Sequence, residues 1–115
     1  MTLPFKSLSK DVSVAPQLGP EAMAEAAAAG FRSVINNRPD FEGGPDQPTS
    51  ASLAAAARAA GLEYEWLPVA PNVQSADEIA RFAALLTTLP TPILAFCRSG
   101  ARSTKLYSAA TATWG

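Results

Sequence analysis

Apolar and polar positions fall along the chain in blocks that predict strands and helices in turn. Residues 12–15 alternate and predict a first strand. Gly19-Pro20-Glu21 then opens a helix. Proline suits a first helical turn, and Glu21 complements the positive end of the helix dipole. Alanines continue to Ala29, and Gly30 is a natural stop. Residues 31–36, F-R-S-V-I-N, predict a buried strand. Residues 37–50 hold three prolines and two glycines and predict a long loop, of the kind that often carries function. Thr49 or Ser50 caps a second helix through Leu53 and Arg58 to Gly61. Residues 62–69 predict a third strand with Tyr64, Trp66 and Val69 as packing groups, and residues 68–73 a loop. Ser75 and Glu78 form a capping box ahead of Ile79, Phe82, Leu85 and Leu86 at helical spacing. Pro90 and Pro92 flank a turn. Residues 93–96 are uninterruptedly apolar, as in the centre of a parallel sheet, and Cys97 ends that strand. A last helix is expected from Ser103 onward.

Strands alternating with helices imply a three-layer α/β arrangement: a central, mostly parallel sheet of four to five strands with helices on both faces. Ligands bind such sheets beyond the carboxyl ends of the strands. Cys97, the loop after Asn36 and the loop at residues 68–73 all fall at such ends. The length of 115 residues fits one domain, residues 1–115. With 48% hydrophobic and 17% charged residues the chain is globular in composition. A net charge of -1 offers no basic face for nucleic acid. No run is apolar enough to span a bilayer and no secretory signal opens the chain, so a cytoplasmic location is expected. One cysteine excludes an internal disulfide and a thiolate-rich zinc site, and no metal or cofactor is expected. The absence of histidine excludes serine–histidine and cysteine–histidine catalysis. Any nucleophile must be activated by backbone dipoles or by basic side chains.

The segment Cys97-Arg98-Ser99-Gly100-Ala101-Arg102-Ser103 meets that requirement. A strand ends, a short loop turns and a helix begins. Loop amides and the helix N-terminus supply partial positive charge, Gly100 lets the backbone curl, and Arg98 and Arg102 add full charges. A lone cysteine closing an apolar strand is ordinarily a small buried side chain. Here its neighbours favour the thiolate and should lower its pKa, making Cys97 the candidate catalytic residue. The same cradle of residues 98–103 would bind an oxyanion, and Ser103 could donate a hydrogen bond to the sulfur.

C-R-S-G-A-R is similar to the active-site loop of rhodanese sulfurtransferases, with four residues between cysteine and arginine. Cysteine-dependent phosphatases use a related loop with five. The shorter loop suits a single extra sulfur atom better than a phosphate ester. F-R-S-V-I-N-N-R-P-D, residues 31–40, together with C-R-S-G-A-R-S, resembles the beta-lactamase-hydrolase-like protein family, phosphatase-like domain, over residues 12–107. That resemblance implies a scaffold akin to dual-specificity tyrosine phosphatases. Members of that family occur fused to, or encoded near, persulfide dioxygenases and sulfide:quinone oxidoreductases. A role in sulfane-sulfur metabolism, with such enzymes as partners, is therefore implied.

The tyrosine-phosphatase mechanism needs a general acid, usually an aspartate on a loop upstream of the cysteine. The corresponding loop here, residues 68–73, has no carboxylate. Asp77 suits a helix-dipole partner better, and Asp40 is an outlying candidate. Sulfur transfer needs no acid. The main expectation is thus a sulfurtransferase that moves sulfur from thiosulfate or glutathione persulfide to a thiol or sulfite through a Cys97 persulfide. A cysteine-dependent phosphatase is the alternative, and a non-catalytic anion or persulfide binding module the second. Arg38 is a further candidate as an anion clamp and Asp40 as its orienter, against a local Asn/Pro/Asp turn. Tyr64 and Trp66 line an acceptor pocket or form strand core. Lys105 faces solvent, and the alanine-rich helix is a packing surface.

Overall fold

A computed structural model describes residues 3–112 and 114. The elements in chain order are β1 (Lys6–Ser7), β2 (Val12–Ala15), α1 (Glu21–Ala28), β3 (Ser33–Asn36), α2 (Ser50–Ala59), β4 (Glu63–Trp66), α3 (Ala76–Thr88), β5 (Ile93–Phe96) and α4 (Ala101–Thr111). They form one five-stranded sheet in the order β1-β2-β5-β3-β4. β2, β5, β3 and β4 run parallel, and β1 pairs antiparallel with β2. The expected three-layer, mostly parallel α/β architecture is the one found.

The strand interiors show why both faces must be covered. In β5, Leu94 and Phe96 join an apolar cluster with Met23 and Ala26 of α1 and Leu53 and Ala57 of α2. Ile93 and Ala95, pointing the opposite way, join Phe82 and Leu86 of α3 and Leu106 and Ala110 of α4. Val34 and Ile35 divide between the same two clusters. A period of two with both faces buried gives the uninterrupted apolar run seen in the sequence. Helix starts follow the local signals. Thr49 Oγ1 accepts from Ser52 N at 3.2 Å, and Ser75 with Glu78 completes both halves of a capping box.

Several expectations shift. The strands expected at residues 31–36 and 62–69 shorten to Ser33–Asn36 and Glu63–Trp66. β1 has no signal of its own; it exists by pairing with β2. The last helix begins at Ala101, two residues before Ser103. Trp66 is not core: it lies on the edge strand β4, 42% exposed, with its indole Nε1 donating to the Arg38 carbonyl at 3.0 Å. Among the described residues no helix is long and apolar enough to cross a membrane.

The ends of β2, β3, β4 and β5 all open onto one rim. Gln17 follows β2, residues 37–42 follow β3, Val69 and Pro71 follow β4, and the Cys97 loop follows β5. Backbone hydrogen bonds tie them together. Cys97 N donates to Ala15 O at 3.4 Å, Gln17 N to Arg98 O at 3.1 Å, and Asn37 N to Phe96 O at 2.8 Å. Val69 N donates to Asn37 O at 3.1 Å.

Candidate active site

Cys97 is 1% exposed, yet it belongs to neither apolar cluster. Its sulfur accepts from Gly100 N at 3.1 Å. Burial alone would push the Cys97 thiol pKa up. The backbone N–H groups of Ser103, Ser99, Arg102 and Gly100 act against that, and together they prevail, so the thiol lies below the ordinary cysteine range. The main-chain amides at the start of α4, which the sequence pointed to, supply the leading influences that lower it; the side-chain charges of Arg98 and Arg102, expected to add to them, do not rank among these. Gly100 makes the turn by adopting φ 94°, the left-handed region where a Cβ is costly. Gly100→Ala should therefore lower unfolding stability by about 1–2 kcal/mol in a urea titration. Retention of full stability would show that the loop does not need this conformation.

The residues predicted around the sulfur take different parts. Ser103 Oγ does not reach the thiolate; it donates to Asn37 Oδ1 at 2.8 Å, and only the Ser103 N–H serves the sulfur. Ala101 N faces Ser99 Oγ at 3.4 Å. Arg98 is exposed on a cavity of about 480 Å³ that it lines with Arg38, Glu42, Gly43, Pro71 and Arg102. Arg38 is therefore placed on the same cavity as Arg98 and Arg102. Asp40 does not orient an arginine: its Oδ1 accepts from Ser50 N at 2.8 Å, at the start of α2. A carboxylate beside a helix N-terminus is held there by the first free amides. Asp77 pairs with Arg81 at 2.9 Å on the exposed face of α3. Tyr64 and Trp66 line a second, open cavity of about 410 Å³ with Asp40, Ser50 and Arg58. The α2 helix, expected to serve packing alone, therefore also contributes to a cavity wall.

Sequence reasoning missed three residues. Glu42 is the carboxylate of the main cavity. Its Oε1 accepts from Arg38 Nε and Arg102 NH2, both at 2.8 Å, and its Oε2 from Arg102 NH1 at 2.9 Å. The hydrogen bond from Arg102 is the largest influence on its pKa, and with Arg38 it outweighs burial and holds the carboxyl below the usual range. Gln17 Oε1 accepts from Arg38 NH1 at 3.0 Å. Asn37, fully buried, accepts from Ser103 and donates its Nδ2 to Leu67 O at 3.0 Å. A long loop with Pro and Gly signalled that residues 37–50 matter, but nothing local signalled which side chains turn inward. Among the described residues no cluster of three or more His, Cys, Asp or Glu is placed to hold a metal ion.

A profile of the "Beta-lactamase hydrolase-like protein, phosphatase-like domain" family matches residues 4–113. The chain belongs to this family. A beta-lactamase hydrolase-like protein of Xylella fastidiosa is 34% identical over 101 residues, 88% of this chain. The chain spans only 23% of that relative's length. A candidate phosphatase from Neisseria meningitidis, known from its crystal structure, superposes with a TM-score of 0.82 at 28% identity. The match covers 89% of this chain and 72% of the neighbour. TpbA of P. aeruginosa, solved in complex with phosphotyrosine, superposes with a TM-score of 0.70 at 13% identity, over 98% of this chain and 67% of its own. At that identity the likeness establishes the fold. This member of the family thus has a tyrosine-phosphatase-like fold, and the resemblance read from the sequence is borne out. None of these names mentions sulfur transfer. The matched names favour the phosphatase alternative over the sulfurtransferase expectation.

Proposed function

We propose that the chain is a thiolate-dependent group-transfer enzyme on a phosphatase-like scaffold. Cys97 attacks a small oxyanion donor whose leaving group departs without a proton. Sulfane-sulfur transfer fits that description best. The observation that carries it is the state of Glu42. Among the described residues lining the main cavity it is the carboxylate, and two arginines hold it ionised. A carboxylate held below its usual pKa is a poor general acid near neutral pH. Asp40 and Asp77 are engaged elsewhere.

In the first half-reaction the Cys97 thiolate attacks the outer sulfur of thiosulfate. The new S–S bond forms as the old one breaks, and sulfite leaves with the electron pair. Cys97 then carries a persulfide anion, and no proton has moved. In the second, an acceptor thiolate attacks the outer sulfur and Cys97 departs as thiolate, restoring the enzyme. Arg98 and Arg38 attract the donor, while loop amides stabilise the developing charge. Glutathione persulfide would serve as donor by the same steps. A persulfide-forming or persulfide-consuming oxidoreductase, such as a sulfide:quinone oxidoreductase or a persulfide dioxygenase, is the partner this reading implies.

Phosphoester hydrolysis is the second reading, favoured by the family description and the solved neighbours. With no carboxyl placed to act as general acid among the described residues lining the cavity, it would be confined to esters with good leaving groups. One pair of assays separates the two. Intact mass after thiosulfate treatment should show one added sulfur atom on Cys97, with thiol-dependent turnover. If no sulfur is added and para-nitrophenyl phosphate is hydrolysed through Cys97, the phosphatase reading holds. Neither activity would leave a non-catalytic binding module.

A further inference from the structure

Arg38 is held from three sides. Its Nε donates to Glu42 Oε1 at 2.8 Å and its NH1 to Gln17 Oε1 at 3.0 Å. Gln17 is itself fixed to the cysteine loop, its N–H donating to the Arg98 carbonyl at 3.1 Å. On the third side stands Gly43, where a Cβ would fall 2.8 Å from Arg38 NH2, closer than Cβ atoms pack. Among the described residues no acceptor meets that NH2. Every fully buried side-chain nitrogen or oxygen among them has a partner, so this NH2 opens to the space that Arg38 lines, the main cavity. Arg102 spends NH1 on Glu42 and the Val69 carbonyl, and one hydrogen of NH2 on Glu42. Its Nε and the other NH2 hydrogen leave a second open edge. Glu42 Oε1 accepts from both arginines at 2.8 Å, so the two guanidiniums are neighbours across one oxygen.

We propose that Arg38 is a specificity-determining residue: it holds a second anionic group of the donor, beside the reacting group seated at the Cys97 loop. The donor class is an organic molecule with a carboxylate or second oxyanion a few bonds from the atom under attack. The proposal rests on reading the cavity as an oxyanion site, and not on which group is transferred.

Three features support a second anion. The side chain of Arg38 is 10% exposed and bonded at two nitrogens, so little freedom is lost when its NH2 takes a ligand. Three guanidiniums against one carboxylate leave the cavity with positive charge beyond what one anionic group satisfies. The cavity, about 480 Å³, is of the size that holds organic ligands, and a five-atom anion such as thiosulfate fills a small part of it. Gly43 completes the arrangement, because any side chain there would push the Arg38 NH2 out of its seat.

The test is anion binding by NMR titration in Cys97→Ser protein, which removes turnover and the thiolate charge. The probes are 3-sulfopropanoate and propane-1-sulfonate, which share a sulfonate and differ by one carboxylate. The first should bind at least about tenfold more tightly than the second. Adding Arg38→Met should erase most of that preference while propane-1-sulfonate still binds. Adding Gly43→Ala instead keeps every charge but displaces the Arg38 NH2, and should lower the preference at least about threefold. Equal binding of the two probes to the parent overturns the role of Arg38 and leaves the anion site standing. A preference unchanged in either variant does the same, since long-range charge or another residue would then account for it. Binding of neither probe overturns the anion site itself. Circular dichroism is recorded alongside, and if Arg38→Met fails to fold, the parent and Gly43→Ala still decide.

Discussion

With serine in place of Cys97, group transfer from an oxyanion donor falls at least about a thousandfold, while unfolding stability stays within about 1 kcal/mol of the parent. The activity loss follows from the sequence as much as from the site. A serine hydroxyl needs a base to become a nucleophile, and the chain has no histidine. Glu42 is held by two arginines and is not placed as that base. The fold should tolerate the change, because a hydroxyl oxygen can accept the Gly100 N–H as the sulfur does. Steady-state assay with thiosulfate and a thiol acceptor, beside urea denaturation, measures both quantities. Retained transfer would mean that the sulfur is not the nucleophile.

Leucine in place of Asn37 should cost about 3 kcal/mol or more in unfolding stability and raise the Cys97 pKa. Asn37 is fully buried, and its side chain joins the end of β4 to the start of α4. Leucine fills a similar volume but strands the Leu67 carbonyl and the Ser103 hydroxyl, each a penalty of about 1–3 kcal/mol when buried without a partner. Ser103 also presents the N–H that contributes most to lowering the Cys97 pKa. Loosening its side chain should therefore weaken the thiolate cradle. Ser103→Ala, which strands only one acceptor oxygen, should cost about 1 kcal/mol. Urea titration compares the two, and equal costs would contradict the role given to Asn37 as a cross-link.

The elements were legible where a pattern is local and repeated. The apolar run 93–96, the Ser75/Glu78 pair and the Thr49 cap are each contained within a few residues, and each formed as read. The cysteine loop was legible for the same reason: it is contiguous, and its amides need only the chain's own curl. Partnerships across the sheet were not. Glu42 meets Arg102 60 positions away, Ser103 meets Asn37 66 positions away, and Arg38 meets Gln17 21 positions away. Nothing in the order of residues says which acidic or amide side chain a folded rim will bring to a given arginine. Asp40 and Ser103 were misplaced by the same logic, since each found a partner that only topology supplies. Asn36 did make a local turn, its Oδ1 accepting from Arg38 N at 2.9 Å, while its neighbour Asn37 turned into the core.

Main-chain N–H groups, against the effect of burial, hold the Cys97 thiol below the ordinary cysteine range. Ultraviolet titration of the thiolate tests it directly, because the protein has only one cysteine to observe. The absorbance should persist as pH falls through the range where a free cysteine protonates, and be lost only at lower pH, when Cys97 takes its proton. A midpoint at or above that of a free cysteine would show that burial outweighs the amides, and would contradict the account.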